Sequence, residues 1–277
     1  MKKLLYVSAV LLMSTFVGSC GLIGEPTQAN DTDSLALDSL VVEELEFTTS
    51  KETFSDSIEA NGVMIHYDID LDVPATGPHQ LVASIKQWLN GVLGGSYSEE
   101  PNFDEDMLRY YSMEYFDDKS DIASDATMPD FALTLSATVK ESNDRFVSYE
   151  VEGYDYTGGA HGMPIEYGAT FVMADGSQLG WDMFADNTDL SLLFKHYVAT
   201  YFEVDNDSSV NELLFEDAAR NFPLPIQAPW LVADGVKFCY TAYEIAPYAA
   251  GRPSAVIPTD KAKKYLTEAT LALLQAK

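Results

Sequence analysis

Residues 132–156 read ALTLSATVKESNDRFVSYEVEGYDY, two runs of strand-forming residues on either side of one short polar turn, Asn143-Asp144. Val, Thr, Tyr and Phe dominate both runs, and so brief a turn leaves the second run no course but back along the first. That is a hairpin. The pattern recurs in IEYGATFVMADGSQLG (165–180) around Asp175-Gly176, and in WLVADGVKFCYTAYEI (230–245) around Asp234-Gly235. Hairpins therefore connect most of the strands.

Upstream, Leu45–Phe54 and Val63–Val73 read as two more strands. The second alternates cleanly, with Val63, Ile65, Tyr67, Ile69, Leu71 and Val73 on one face and His66, Asp68, Asp70 and Asp72 on the other. Helices follow from the 3.6-residue spacing of Leu81, Ile85, Trp88, Leu89 and Val92, and of Met107, Leu108, Tyr111 and Tyr115 in 104–118. Further helices are predicted over about 189–202, over 210–221, and from Thr259 to the end. Strands and helices mix without strict alternation, which predicts an α+β fold: antiparallel sheets built from hairpins, packed helices, and two closely associated subdomains.

The N-terminus reads differently. Lys2 and Lys3 precede an apolar run from Leu4 to Phe16, which ends at Val17-Gly18-Ser19-Cys20. Such a run is too short to span a bilayer and has the layout of an export signal. A cysteine directly after two small residues looks like a bacterial lipobox. That resemblance implies cleavage before Cys20 and lipid on its sulfur, hence a membrane anchor at the N-terminus. Four segments result: signal peptide 1–19, flexible tether 20–44, N-terminal α+β subdomain 45–143 and C-terminal α+β subdomain 144–277. Gly21-Leu22-Ile23-Gly24 after the lipidated cysteine favours a bacterial envelope protein in the outer membrane, facing the periplasm.

The formal net charge is -28. Such a surface repels nucleic acid and attracts basic proteins. Of the two cysteines, Cys239 lies among apolar and aromatic residues and reads as a buried small hydrophobe. The four histidines show no metal-binding spacing, and Asp68, Asp70 and Asp72 fail the calcium-loop pattern, because Val73 and His79 stand where glycine and glutamate are required. No metal and no cofactor is predicted. Tyr110, Tyr111, Tyr115 and Phe116 have the spacing of a core stripe with its flanks rather than of a sugar platform.

YTGGAHG (156–162), then ADGSQLGWDMF (174–184), then DGVKFCY (234–240) and YEIAPYAAG (243–251) follow one another in an order that resembles the RsiV-like extracellular domain family. This is a domain-of-unknown-function pair found in RsiV-like anti-sigma factors and beside the catalytic domain of some peptidoglycan deacetylases. The resemblance covers residues 45–270. It implies a two-part α+β fold outside the cytoplasmic membrane and, from the anti-sigma members, recognition of lysozyme. No sigma-binding segment and no deacetylase domain accompanies it, and the family supplies no catalytic residues to carry over.

The candidate site lies in those motifs. Gly158 and Gly159 permit a tight connection between strands, or a nest of backbone N–H groups with His161 beside it. Tyr156 flanks the loop, and Tyr248 stands in the second motif. Binding residues are therefore Tyr156, Gly158, Gly159, His161 and Tyr248, with no catalytic set. The predicted function is a non-catalytic, lipid-anchored envelope binder of lysozyme or another basic muramidase. A peptidoglycan-binding module is the alternative, and an envelope hydrolase using carboxylates or His161 a third class.

Overall fold

The first hairpin is longer than the sequence reading placed it. Strand β1 spans Thr48–Ala60 and β2 Val63–Thr76, joined by a two-residue turn at Asn61-Gly62, with the register Ala60↔Val63 through Thr48↔Thr76. Asn-Gly between alternating runs is a strong hairpin signal, and it carries β1 past Phe54. The computed structural model describes residues 46–185, 189–204, 206 and 208–275. The predicted signal peptide, the tether with Cys20, and the first residue of the predicted N-terminal subdomain lie outside the described residues.

After β2 come helices α1 (His79–Val92) and α2 (Glu105–Ser120), the latter capped by Asp104, whose carboxylate accepts from the Met107 N–H at 2.9 Å. Strand β3 (Phe131–Ser142) then returns beside β2 and parallel to it, from Ile65↔Phe131 to Leu71↔Ala137. The α+β class and the hairpins are as predicted, but this one pair makes the sheet mixed. The reason is the connection: a parallel neighbour needs a long crossover, and α1 and α2 supply it. Strands β4 (Phe146–Tyr156), β5 (Met163–Val172) and β6 (Gln178–Leu179) complete a six-stranded sheet in sequence order.

One face of this sheet is the first core. Val63, Ile65, Ile69 and Leu71 of β2 lie buried with Leu81, Ile85 and Leu89 of α1 and Met107, Tyr111 and Phe116 of α2. Tyr149, Val151, Ala169 and Phe171 extend it to β4 and β5. The sequence boundary at 143/144 thus falls at the turn of the β3–β4 hairpin, inside this sheet.

The second core follows β6. Helix α3 (Leu190–Tyr201), α4 (Glu216–Arg220), α5 (Thr259–Ala262) and α6 (Glu268–Leu274) pack on a three-stranded antiparallel sheet of β7 (Trp230–Val232), β8 (Gly235–Cys239) and β9 (Ser254–Pro258). Phe194 and Phe238 stand at its centre, ring centres 4.6 Å apart. The helix predicted over 210–221 is instead a 3-10 turn at Ser209–Glu212 followed by α4, and the closing helix breaks between α5 and α6, where Leu266 bridges Phe184.

This second sheet meets the far face of the first at β4 and β5. A side chain on Gly168 would collide with the indole of Trp230, its Cβ falling 2.4 Å from the nearest ring atom. The Leu231 N–H donates to the Thr170 hydroxyl at 2.8 Å. Lys237 of β8 reaches Glu150 at 2.6 Å and Glu166 at 3.1 Å, and Arg252 meets Glu166 at 3.1 Å. Two glutamates of the first sheet thereby hold a lysine of β8 and an arginine just before β9. Residues Glu43–Lys277 form one compact unit.

Candidate functional site

The loop between β4 and β5 takes its course from its glycines. Gly158 and Gly159 have φ of 90° and 82°, in the left-handed region that other residues avoid. The Tyr156 hydroxyl donates to the Gly159 carbonyl at 3.2 Å, and the Gly162 N–H donates to the Tyr154 hydroxyl at 2.7 Å. Tyr156, Gly158 and Gly159 therefore shape the turn, and His161 is delivered at its far end.

His161 lies flat against Tyr248, ring centres 3.5 Å apart and planes within 12°. Its Nδ1 is 3.3 Å from the Gly162 carbonyl and its Nε2 is 3.2 Å from the Tyr243 hydroxyl. A carbonyl only accepts, so a neutral imidazole carries its proton on Nδ1 and takes the Tyr243 hydroxyl at Nε2. Tyr248 in turn neighbours Tyr154; burial, then the hydrogen bond to Tyr154, push its phenol up. Of the five residues singled out from sequence, His161 and Tyr248 meet directly, and the other three act through the loop.

Sequence reasoning passed over Tyr154 and Tyr243. Both are exposed, at 39% and 48%, and both hold this cluster together. The signal for Tyr154 was strand alternation, which puts it on the same face as Tyr156. Tyr243 opens the YEIAPYAAG motif itself. It stands at φ 68°, a conformation costly for a bulky side chain. Arg252, just beyond that motif, donates to the Ile165 carbonyl at 2.8 Å and so ties the loop to the start of β5.

Beside this aromatic cluster, no described residue covers the far face of the first sheet over β1, β2 and β3. A groove of 720 Å³ runs there, lined among others by Thr53, Ser55, Asp68, Asp70, Ser136, Glu152 and Tyr154. The Ser55 hydroxyl donates to Asp68, Lys51 pairs with Asp70 at 3.0 Å, and Lys140 pairs with Glu152 at 3.4 Å. Asp72, further along, accepts from the Val139 N–H at 2.9 Å, where the parallel pair ends. The aspartate row is thus a polar sheet face, with Asp72 engaged by backbone.

Other candidates resolve simply. Cys239 is buried and donates to the Tyr240 carbonyl; burial, then Glu166, push its thiol up to about 12. Tyr111 and Phe116 are core residues, the Tyr115 hydroxyl donates to Asp155, and Tyr110 alone of that stripe is exposed. Among the described residues no three His, Cys, Asp or Glu side chains gather as they would around a metal ion.

Residues 46–164 match the family model described as "Deacetylase PdaC", and residues 182–260 match "Protein of unknown function (DUF3298)". A solved structure of a DUF3298-family member from Bacteroides fragilis superposes with a TM-score of 0.68 at 17% identity, covering 84% of this chain and 98% of that one. A DUF3298-family protein from Pseudomonas aeruginosa gives a TM-score of 0.56 at 18% identity, covering 81% and 96%. At these identities the likeness is one of fold. No curated protein matches the sequence.

Proposed function

We propose, from the premise that this chain carries a PdaC–DUF3298 domain pair of the RsiV-like kind, that it is a lipid-anchored envelope protein which captures a basic muramidase and performs no chemistry on it. The observation that carries this reading is charge: a formal net charge of -28. A surface of that sign raises the encounter rate with basic proteins and disfavours acidic ones. The anti-sigma members of the resembling family, which recognise lysozyme, point the same way.

The anchor belongs to the same proposal. Lipid on Cys20 would tether the domain pair through the segment before residue 46, at the periplasmic face of the outer membrane. Replacing Cys20 with Ala should abolish incorporation of labelled fatty acid and move the protein to the soluble fraction.

The binding test is calorimetric titration of the purified mature chain with lysozyme at low and at raised salt. Screening shortens from about 30 Å at 0.01 M salt to about 10 Å at 0.1 M, so affinity should fall steeply over that range. Absence of binding at the lower salt would end the proposal.

A further inference from the structure

We propose that the groove between helix α1 and the β6 edge of the first sheet binds an uncharged oligosaccharide whose sugars carry acetamido groups. This goes beyond muramidase capture and does not rest on it.

Strand β6 is only two residues long, so the sheet stops short beside α1 and a space of 660 Å³ is left between them. Ser84, Gln87 and Trp88 line it from α1, Phe171 from β5 and Gln178 from β6. The three helical residues follow the i, i+3, i+4 spacing that sets side chains on one helix face. At the start of α1 the β5–β6 turn closes in, since a Cβ on Gly176 would stand 2.7 Å from the Gln80 carbonyl.

The indole of Trp88 is set in place before any ligand arrives. Its ring centre lies 5.6 Å from that of Tyr149 and 5.7 Å from that of Phe171. Trp88 is nevertheless only partly buried, so some of its surface faces the groove. A ring held on two sides has little freedom left to lose on binding.

The polar groups decide the ligand. Charged residues make up 22% of the chain, yet none lines this groove. In their place stand two carboxamides, a hydroxyl and an indole N–H, and among the described residues none of these four groups has a hydrogen-bond partner. A carboxamide donates and accepts at once, which matches the C=O and N–H of an acetamido group in a reciprocal pair. The indole offers its face to the C–H side of a pyranose or to the acetamido methyl. An ammonium entering the groove would shed water and meet no carboxylate, and a sugar carboxylate would be repelled by the net charge of -28.

The test is calorimetric titration of the purified chain with a β-1,4-linked N-acetylglucosamine hexamer, its deacetylated glucosamine counterpart, and cellohexaose, which is uncharged but lacks acetamido groups. The acetylated hexamer should bind at least about tenfold tighter than the glucosamine hexamer, although charge alone would favour the cation, and about fivefold tighter than cellohexaose. Gln87→Ala and Gln178→Ala should each weaken it about fivefold, and Trp88→Ala by at least about tenfold. Both glutamines are exposed, so their variants should melt with the parent and keep the test valid if Trp88→Ala fails to fold.

No binding of the acetylated hexamer, equal or tighter binding of either comparison sugar, or indifference to both Gln87→Ala and Gln178→Ala overturns the proposal. Muramidase capture would survive each of these results, because no protein ligand enters the titration.

Discussion

Gly168→Ala is the sharpest probe of how the two sheets are joined. A Cβ there would stand 2.4 Å from one carbon of the Trp230 indole and 2.6 Å from two others. Carbons at rest lie about 3.5–4.0 Å apart, so ring or strand must give by roughly 1 Å. The ring has nowhere to go: Trp230 is fully buried, with the Lys237 ammonium 5.3 Å from its centre. Overpacking of this kind costs about 1–3 kcal/mol. Expelling the indole altogether would forfeit about 5 kcal/mol, from about 200 Å² at about 25 cal/mol per Å². We therefore expect a loss of about 3 kcal/mol, near the top of the overpacking range because the indole is rigid. That lowers the melting temperature by about 6–12 °C in a chain of this size. Scanning calorimetry reads the shift. The control is the same substitution in a Trp230→Leu background, where its added cost should fall below about 1 kcal/mol, a coupling of about 2 kcal/mol. A parent-like melting temperature, or an equal increment in both backgrounds, refutes the reasoning.

Two further predictions concern the charged seam and the loop. At Lys237 burial alone would lower the ammonium, but the hydrogen bond and charge of Glu150, then Glu166, prevail and raise it. A raised lysine stabilises fully below its unfolded value of about 10.4 and loses that contribution as pH climbs through the folded one. Lys237→Met should thus cost about 2–4 kcal/mol at pH 7 and less at pH 11, past the unfolded value, read from urea unfolding; an equal cost at both refutes it. His161→Ala should leave the chain folded and destabilise it by about 1 kcal/mol, the scale of one ring pair; collapse of the fold would show that the loop depends on the imidazole rather than on its glycines.

Most of the first sheet was legible because its signals are local. Alternation in VMIHYDIDLDV gave both faces of β2, and the turn residues of 132–156 and 165–180 gave the hairpins. What escaped was nonlocal. Nothing in β3 says which neighbour it takes, and only the crossover through α1 and α2 places it parallel to β2. The closing helix was overextended because Lys263–Thr267 continues a helical composition while Leu266 is drawn away to Phe184. At the candidate site, His161 and Tyr248 were readable as motif residues. Their stacking was not, since 87 positions of chain fold back to make it.

The parallel pairing of β2 and β3 also bears on how the chain reaches its native state. Between Thr76 and Phe131 no partner for the outer edge of β2 has yet been made. A chain growing from its N-terminus therefore holds a finished β1–β2 ribbon with an open side until both helices have docked. Asp68, Asp70 and Asp72 recur along that ribbon, and mutual repulsion keeps two such ribbons from zipping together. Renaturation yield should accordingly fall at high protein concentration once added salt screens those aspartates, a liability that the β2 edge loses when β3 pairs with it.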